Sequence, residues 1–108
     1  AAFVVIEVQD SAQAISAAES WSENQKIRGG NEKIVILLDN MGPQKCRSTE
    51  ALLRESELRD WCILEGSGGV TLDRLHTWIE SSMVDVISSS SVNMGVPSLD
   101  LSMLIRGI

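Results

Sequence analysis

Leu64-Glu65-Gly66-Ser67-Gly68-Gly69-Val70-Thr71-Leu72 is the stretch on which the fold turns. An apolar run, Trp61 to Leu64, meets an acid and then a turn of small residues. A helical pattern follows, with Leu72, Leu75, Ile79 and Met83 at helical spacing out to about Ser82. The order is therefore strand, glycine-rich turn, helix start. Gly68 and Gly69 let the backbone take a positive φ and come close to a ligand. A helix starting there would present unpaired N–H groups and the positive end of its dipole, which favour a phosphate.

Working outward, the same unit recurs. Upstream, Ile34 to Leu38 is an unbroken apolar run, the mark of a strand covered on both faces, and it ends at Asp39-Asn40. Phe3 to Val8 has strand composition and ends in Glu7-Val8-Gln9-Asp10. Asp10 or Ser11 can cap a helix to about Trp21, with Ile15 and Ala18 inward. Polar Glu23 to Lys33, carrying Gly29-Gly30, reads as an exposed loop. Pro43 suits the first turn of a helix over Gln44 to Arg59. Downstream, Val84 to Ile87 is a fourth strand running into Ser88-Ser89-Ser90-Ser91. Leu99 to Ile105 alternates and reads as a strand or a short helical turn.

The expected class is α/β, with parallel strands joined by right-handed crossovers. Four such strands make a partial, open parallel β/α barrel of about four βα units. Half a barrel leaves two raw sheet edges, an aggregation hazard unless something covers them. Ligands in such folds gather at the carboxyl ends of the strands. Glu7, Asp39, Glu65 with the Ser67-Gly68-Gly69 turn, and Ser88 to Ser91 fall there. Two carboxylates beside a phosphate turn suit Mg²⁺ or sugar hydroxyls, which want hard oxygen ligands or acceptors.

The bulk composition narrows the partners. The 108 residues are enough for one small domain, 44% hydrophobic and 22% charged, as in soluble globular chains. A net charge of −6 argues against nucleic acid, whose phosphates need clustered Lys and Arg. No apolar run approaches the ~20 residues of a membrane span. Cys46 and Cys62 lack metal-ligand spacing and read as reduced core thiols, which suits a cytoplasmic protein. His76, the single His, lies on a polar helix face and reads as surface. Asp85 reads as a loop or helix-end acid, and Trp21, Trp61 and Trp78 as core or interface. The chain opens inside a strand pattern without Met, so it reads as a piece of something longer.

Taken jointly, Val5-Ile6-Glu7-Val8, Leu37-Leu38-Asp39-Asn40-Met41, Leu64-Glu65-Gly66-Ser67-Gly68-Gly69-Val70-Thr71, Asp85-Val86-Ile87-Ser88 and Leu99-Asp100-Leu101-Ser102 resemble the quinolinate phosphoribosyltransferase family. They come in the family's order over almost the whole chain, with Trp21 to Lys33 looking like an insertion. The resemblance implies that residues 1–108 are the carboxyl-terminal half of a type II phosphoribosyltransferase barrel domain. It implies transfer from phosphoribosyl pyrophosphate to quinolinate, giving nicotinate mononucleotide, pyrophosphate and CO₂ for NAD synthesis, with Mg²⁺ assisting. It places Glu7 and Asp39 at the ribose hydroxyls and the metal, as catalytic residues, and Ser67, Gly68 and Gly69 on the phosphate. Ser89 and Ser90 are expected to contact phosphate as well. The family usually has Gly and, four residues later, His where Ser90 and Met94 stand. Its basic cluster for quinolinate lies upstream of residue 1, and the full-length protein is expected to be a homodimer or higher homo-oligomer.

Two other readings stay open at this level. One keeps the fold without catalysis, as a truncated paralogue that pairs with a complete enzyme. The other is a receiver-like signalling domain phosphorylated at Asp39, although no Lys precedes Pro97 as a receiver requires.

Overall fold

A computed structural model describes residues 3–89 and 101–105. Ser90, Met94, Leu99 and Asp100 lie outside the described residues. Four parallel strands alternate with three helices: β1 (Val5–Val8), α1 (Ser11–Arg28), β2 (Ile34–Asp39), α2 (Gly42–Glu55), β3 (Cys62–Ser67), α3 (Leu75–Ser81) and β4 (Val86–Ser89). A fifth strand, β5 (Leu101–Leu104), follows. The sheet order is β1-β2-β3-β4-β5, and β5 runs antiparallel to β4 with Ile87 opposite Met103. This is an α/β fold in which each parallel strand lies beside its chain neighbour, as in a section of an open β/α barrel. A receiver would have the doubly wound order 2-1-3-4-5. The observed order removes that reading. Among the described residues, β5 rather than a fourth helix follows β4, and the alternating segment is a strand.

Strand parity divides the sheet into two faces. Val8, Ile36, Leu38, Leu64 and Ile87 point toward the helices and are fully buried against Ala14, Ala18, Leu53 and Trp78. Gly66 makes room for Trp78, since a Cβ on it would sit 2.5 Å from Trp78 Cζ3. Trp21 and Trp61 are half-buried against the same core. Cys46 and Cys62 are buried free thiols, and burial pushes them up to about 12 and about 11 respectively. The Arg59 guanidinium opposes part of the rise at Cys62.

The helix boundaries correct three expectations. α1 runs two turns beyond Trp21, through what reads as an exposed loop. Its first turn is capped by Asp10, which accepts from the Gln13 amide at 2.8 Å. Its end is Gly29 at φ 71, with the Gly30 amide returning to the Gln25 carbonyl at 2.8 Å. Its inward positions include Ser22 and Gln25, so apolar periodicity cannot reveal it. Gln25 also accepts from the Glu32 amide, and Trp21 Nε1 donates to the Glu32 carbonyl at 2.7 Å, tying the connector back. α2 stops four residues short of Arg59, because Glu57 takes a left-handed φ of 59 and Leu58 folds back onto the Leu53 carbonyl. A short 3-10 turn, Arg59–Trp61, leads into β3.

α3 starts at Leu75 rather than Leu72, because Leu72 to Arg74 form a turn instead. Asp73 in that turn is held below its usual range, first by the Thr71 hydroxyl and then by its own amide. His76 is exposed and pairs with Glu80 at 3.1 Å.

Asp85 lies in the connector between α3 and β4, as expected, and is a buried brace there. It accepts from the Leu64 amide at 2.9 Å and from Arg59 Nη2 at 3.0 Å. Arg59 also reaches buried Glu50 at 3.2 Å and the Cys62 carbonyl at 3.0 Å. Arg54 adds an ion pair to the other Glu50 oxygen at 3.3 Å, without hydrogen-bond alignment. One guanidinium thus joins α2, β3 and the approach to β4.

Among the described residues no strand pairs with the outer edge of β1, and Phe3, Val4 and Val5 are 60%, 52% and 58% exposed. A groove of about 900 Å³ runs beside it, lined by Ile6, Val8, Ala17, Trp21 and Ile34 among others. Among the described residues no helix is long and apolar enough to cross a membrane.

Candidate functional site

The face of the sheet opposite the helices carries two polar rows at the carboxyl ends of the strands. In the first row Glu7 pairs in register with Leu37, and Leu37 with Glu65. In the second, Asp39 pairs with Ser67, and Ser67 with Ser88. Parity puts Glu7, Asp39, Glu65, Ser67 and Ser88 on the same face. Strand spacing and rise put Glu7 and Asp39 on a diagonal of roughly 8 Å between Cα atoms.

Two acid–hydroxyl pairs knit these rows together. Ser67 Oγ donates to Asp39 Oδ1 at 3.2 Å, and Ser88 Oγ donates to Glu65 Oε2 at 2.7 Å. All four side chains are half-buried, whereas Glu7 is exposed. A hydroxyl has one proton to give. With that proton on a carboxylate, Ser67 and Ser88 turn only lone pairs toward the site.

The turn after β3 has the conformation its glycines imply, with φ 87 at Gly68 and φ 66 at Gly69. The two glycines serve different ends. A Cβ on Gly68 would lie 2.9 Å from Asn40 Cα, so this glycine lets the turn close on the end of β2. The Asn40 amide donates to the Ser67 carbonyl at 2.9 Å, locking the two strand ends together. At Gly69 nothing lies within 4 Å of a built Cβ. The expected helix start does not follow directly, since α3 begins six residues after Gly69. Anion contact here would fall to the turn's own amides. Among the described residues, the Gly68 and Gly69 amides donate no hydrogen bond.

The predicted residues thus divide. Glu7, Asp39, Ser67, Gly68 and Gly69 come together at one end of the sheet. Ser89 ends β4, opposite Leu101. Ser90 lies outside the described residues. Sequence reasoning placed Ser88 among the strand-end residues but gave the contacts to Ser89 and Ser90, because it ended the strand at Ile87. Counting parity on from Val86 would have placed it on the site face. Among the described residues no three His, Cys, Asp or Glu side chains form a metal cage. Mg²⁺ commonly takes one or two carboxylates and fills its shell with water and substrate phosphate. Asp39, with one oxygen bonded to Ser67, fits that partial donor set.

A family model described as the quinolinate phosphoribosyl transferase C-terminal domain matches residues 1–104. The chain belongs to the quinolinate phosphoribosyltransferase family. A probable nicotinate-nucleotide pyrophosphorylase (carboxylating) of Methanothermobacter thermautotrophicus is 34% identical over 105 residues, 97% of this chain and 33% of that protein. The nicotinate-nucleotide pyrophosphorylase (carboxylating) of Rattus norvegicus is 30% identical over 100 residues, 93% of this chain and 29% of the relative. A probable nicotinate-nucleotide pyrophosphorylase (carboxylating) of Synechocystis is 44% identical over 71 residues, 66% of this chain and 23% of its own length. The chain therefore spans about a third of the length of the curated relatives it matches. No solved structure matches it significantly.

Proposed function

We propose that this chain supplies the sugar-phosphate half of a phosphoribosyl-transfer site, as the carboxyl-terminal half of a type II phosphoribosyltransferase barrel domain. The full protein would transfer phosphoribose from phosphoribosyl pyrophosphate to quinolinate, giving nicotinate mononucleotide, pyrophosphate and CO₂ in NAD synthesis. The observation that carries this is the Asp39–Ser67 pair beside the left-handed Gly68-Gly69 turn, at the strand ends of a chain of this family.

Each group has a distinct task. Asp39 and Glu7 accept hydrogen bonds from the ribose hydroxyls and would hold Mg²⁺. The metal, when bound, would neutralise the leaving pyrophosphate. As the bond to the sugar breaks, positive charge builds on the ring, and fixed carboxylates stabilise it electrostatically. The Gly68 and Gly69 amides meet the 5-phosphate, since the Ser67 proton is engaged by Asp39. Ser89 and Ser90 complete the phosphate contacts. Quinolinate is bound by basic groups outside this chain, in a homodimer or higher homo-oligomer, in the cytoplasm.

Calorimetric titration of the chain with phosphoribosyl pyrophosphate, with and without Mg²⁺, tests this alongside circular dichroism. Saturable binding that needs Mg²⁺ is expected. A folded chain that binds nothing would overturn the proposal and favour a non-catalytic paralogue.

A further inference from the structure

Glu65–Ser88 is a second acid–hydroxyl pair one strand further along, made diagonally, since Glu65 is in register with Val86 whereas Asp39 faces Ser67 directly. Both pairs join a carboxylate to a hydroxyl across neighbouring strands, on the same face and at the same end. The Glu65–Ser88 bond is the shorter, 2.7 Å against 3.2 Å. Ser88 also sits in register with Ser67, so the two hydroxyl oxygens belong to one row.

We infer that Glu65 is a positioning residue of the sugar-phosphate site, fixing Ser88 Oγ as a hydrogen-bond acceptor for a ribose hydroxyl. The inference rests on the sugar-phosphate reading given above. Its chemistry follows from where the proton sits. Ionised Glu65 can only accept, so Ser88 must donate to it. Ser88 then offers lone pairs, which a sugar hydroxyl can satisfy and a phosphate oxygen cannot. Exchanging Glu65 for Gln lifts this constraint, because the amide carries a donor as well as an acceptor. The Gln amide can donate to Ser88 Oγ and leave its proton free to point into the site. The isosteric change therefore alters polarity without altering shape, which a purely structural brace would not register.

The test compares ribose 5-phosphate with inorganic phosphate on the whole chain, by NMR or calorimetric titration. Wild type, Glu65→Gln, Ser88→Ala and the double variant are titrated, and each is melted in parallel. Wild type should prefer ribose 5-phosphate. Glu65→Gln should lose about tenfold of that preference while phosphate affinity and melting temperature hold. Ser88→Ala should match it, and the double variant should be no worse than either. Preference retained in Glu65→Gln, additive losses, or an equal loss for inorganic phosphate with a lowered melt would each overturn the positioning role. A folded wild type that binds neither probe would remove the sugar-phosphate reading itself, and this role with it.

Discussion

Ser67 Oγ lies 3.2 Å from Asp39 Oδ1, and the hydroxyl donates. This bond fixes one oxygen of the carboxylate and leaves the other for a ligand. Asp39→Asn keeps the shape and removes the charge. Affinity for phosphoribosyl pyrophosphate with Mg²⁺ should fall by about tenfold or more, as expected when a charged hydrogen-bond partner is lost. The melting temperature should move little, because the side chain is half-buried and outside the apolar core. Unchanged titration heats would take Asp39 out of the site.

Gly66 is a packing requirement of the core. A Cβ there would come 2.5 Å from Trp78 Cζ3, and Trp78 is fully buried. Overpacking of this kind costs about 1–3 kcal/mol. Gly66→Ala should lose that much in urea unfolding and change the near-UV dichroism of the tryptophans. A variant as stable as wild type would mean that the ring moves freely.

Arg59 braces two buried carboxylates, Glu50 and Asp85. Removing one partner from a buried pair costs about 3–5 kcal/mol, a large part of a small domain's stability. Arg59→Met should therefore unfold at much lower urea. Adding Glu50→Gln and Asp85→Asn should recover part of the loss, because the stranded charges are then gone. Absence of any recovery would place the damage in packing.

The two core thiols set an alkaline limit. Their folded values are raised from 9.0 to about 12 and about 11 by burial. A group with a raised folded value stabilises fully below its unfolded value and loses that contribution as pH rises toward the folded one. Stability should hold up to about pH 9 and decline above it as unfolded thiols ionise. Urea midpoints between pH 8 and 11 will read this, and Cys46→Ala should flatten the decline.

Glu57 ends α2 in a left-handed conformation, where a Cβ is costly. Glu57→Gly should raise stability by roughly 0.5–1 kcal/mol, the left-handed penalty less the entropy of the unfolded glycine. Equal or lower denaturant midpoints would show that the Glu side chain earns its place there.

Strand order and the site face were legible because each apolar run ends in an acid or a small polar residue. Period-2 reading then sorts Asp39, Glu65 and Ser67 onto one face. α1 beyond Trp21 was not legible, since Ser22 and Gln25 face inward where an apolar residue would have carried the period. The buried pairing of Asp85 was not legible for a related reason. Its partner Arg59 lies 26 residues away in sequence, and pairing at that range leaves no local pattern. The Glu65–Ser88 pair needed the true end of β4, two residues past the last apolar position.

The bare β1 edge and the consecutive strand order bear on how this chain is made. Each parallel strand docks on the one synthesised just before it, so no strand waits for a distant partner. Within this segment the sheet can grow from β1 through β4 in the order of synthesis, with each helix closing over its crossover in turn. Pairings this local favour quick assembly. Among the described residues the outer side of β1 has no strand beside it, and it is there that this segment is most open to pairing with another strand.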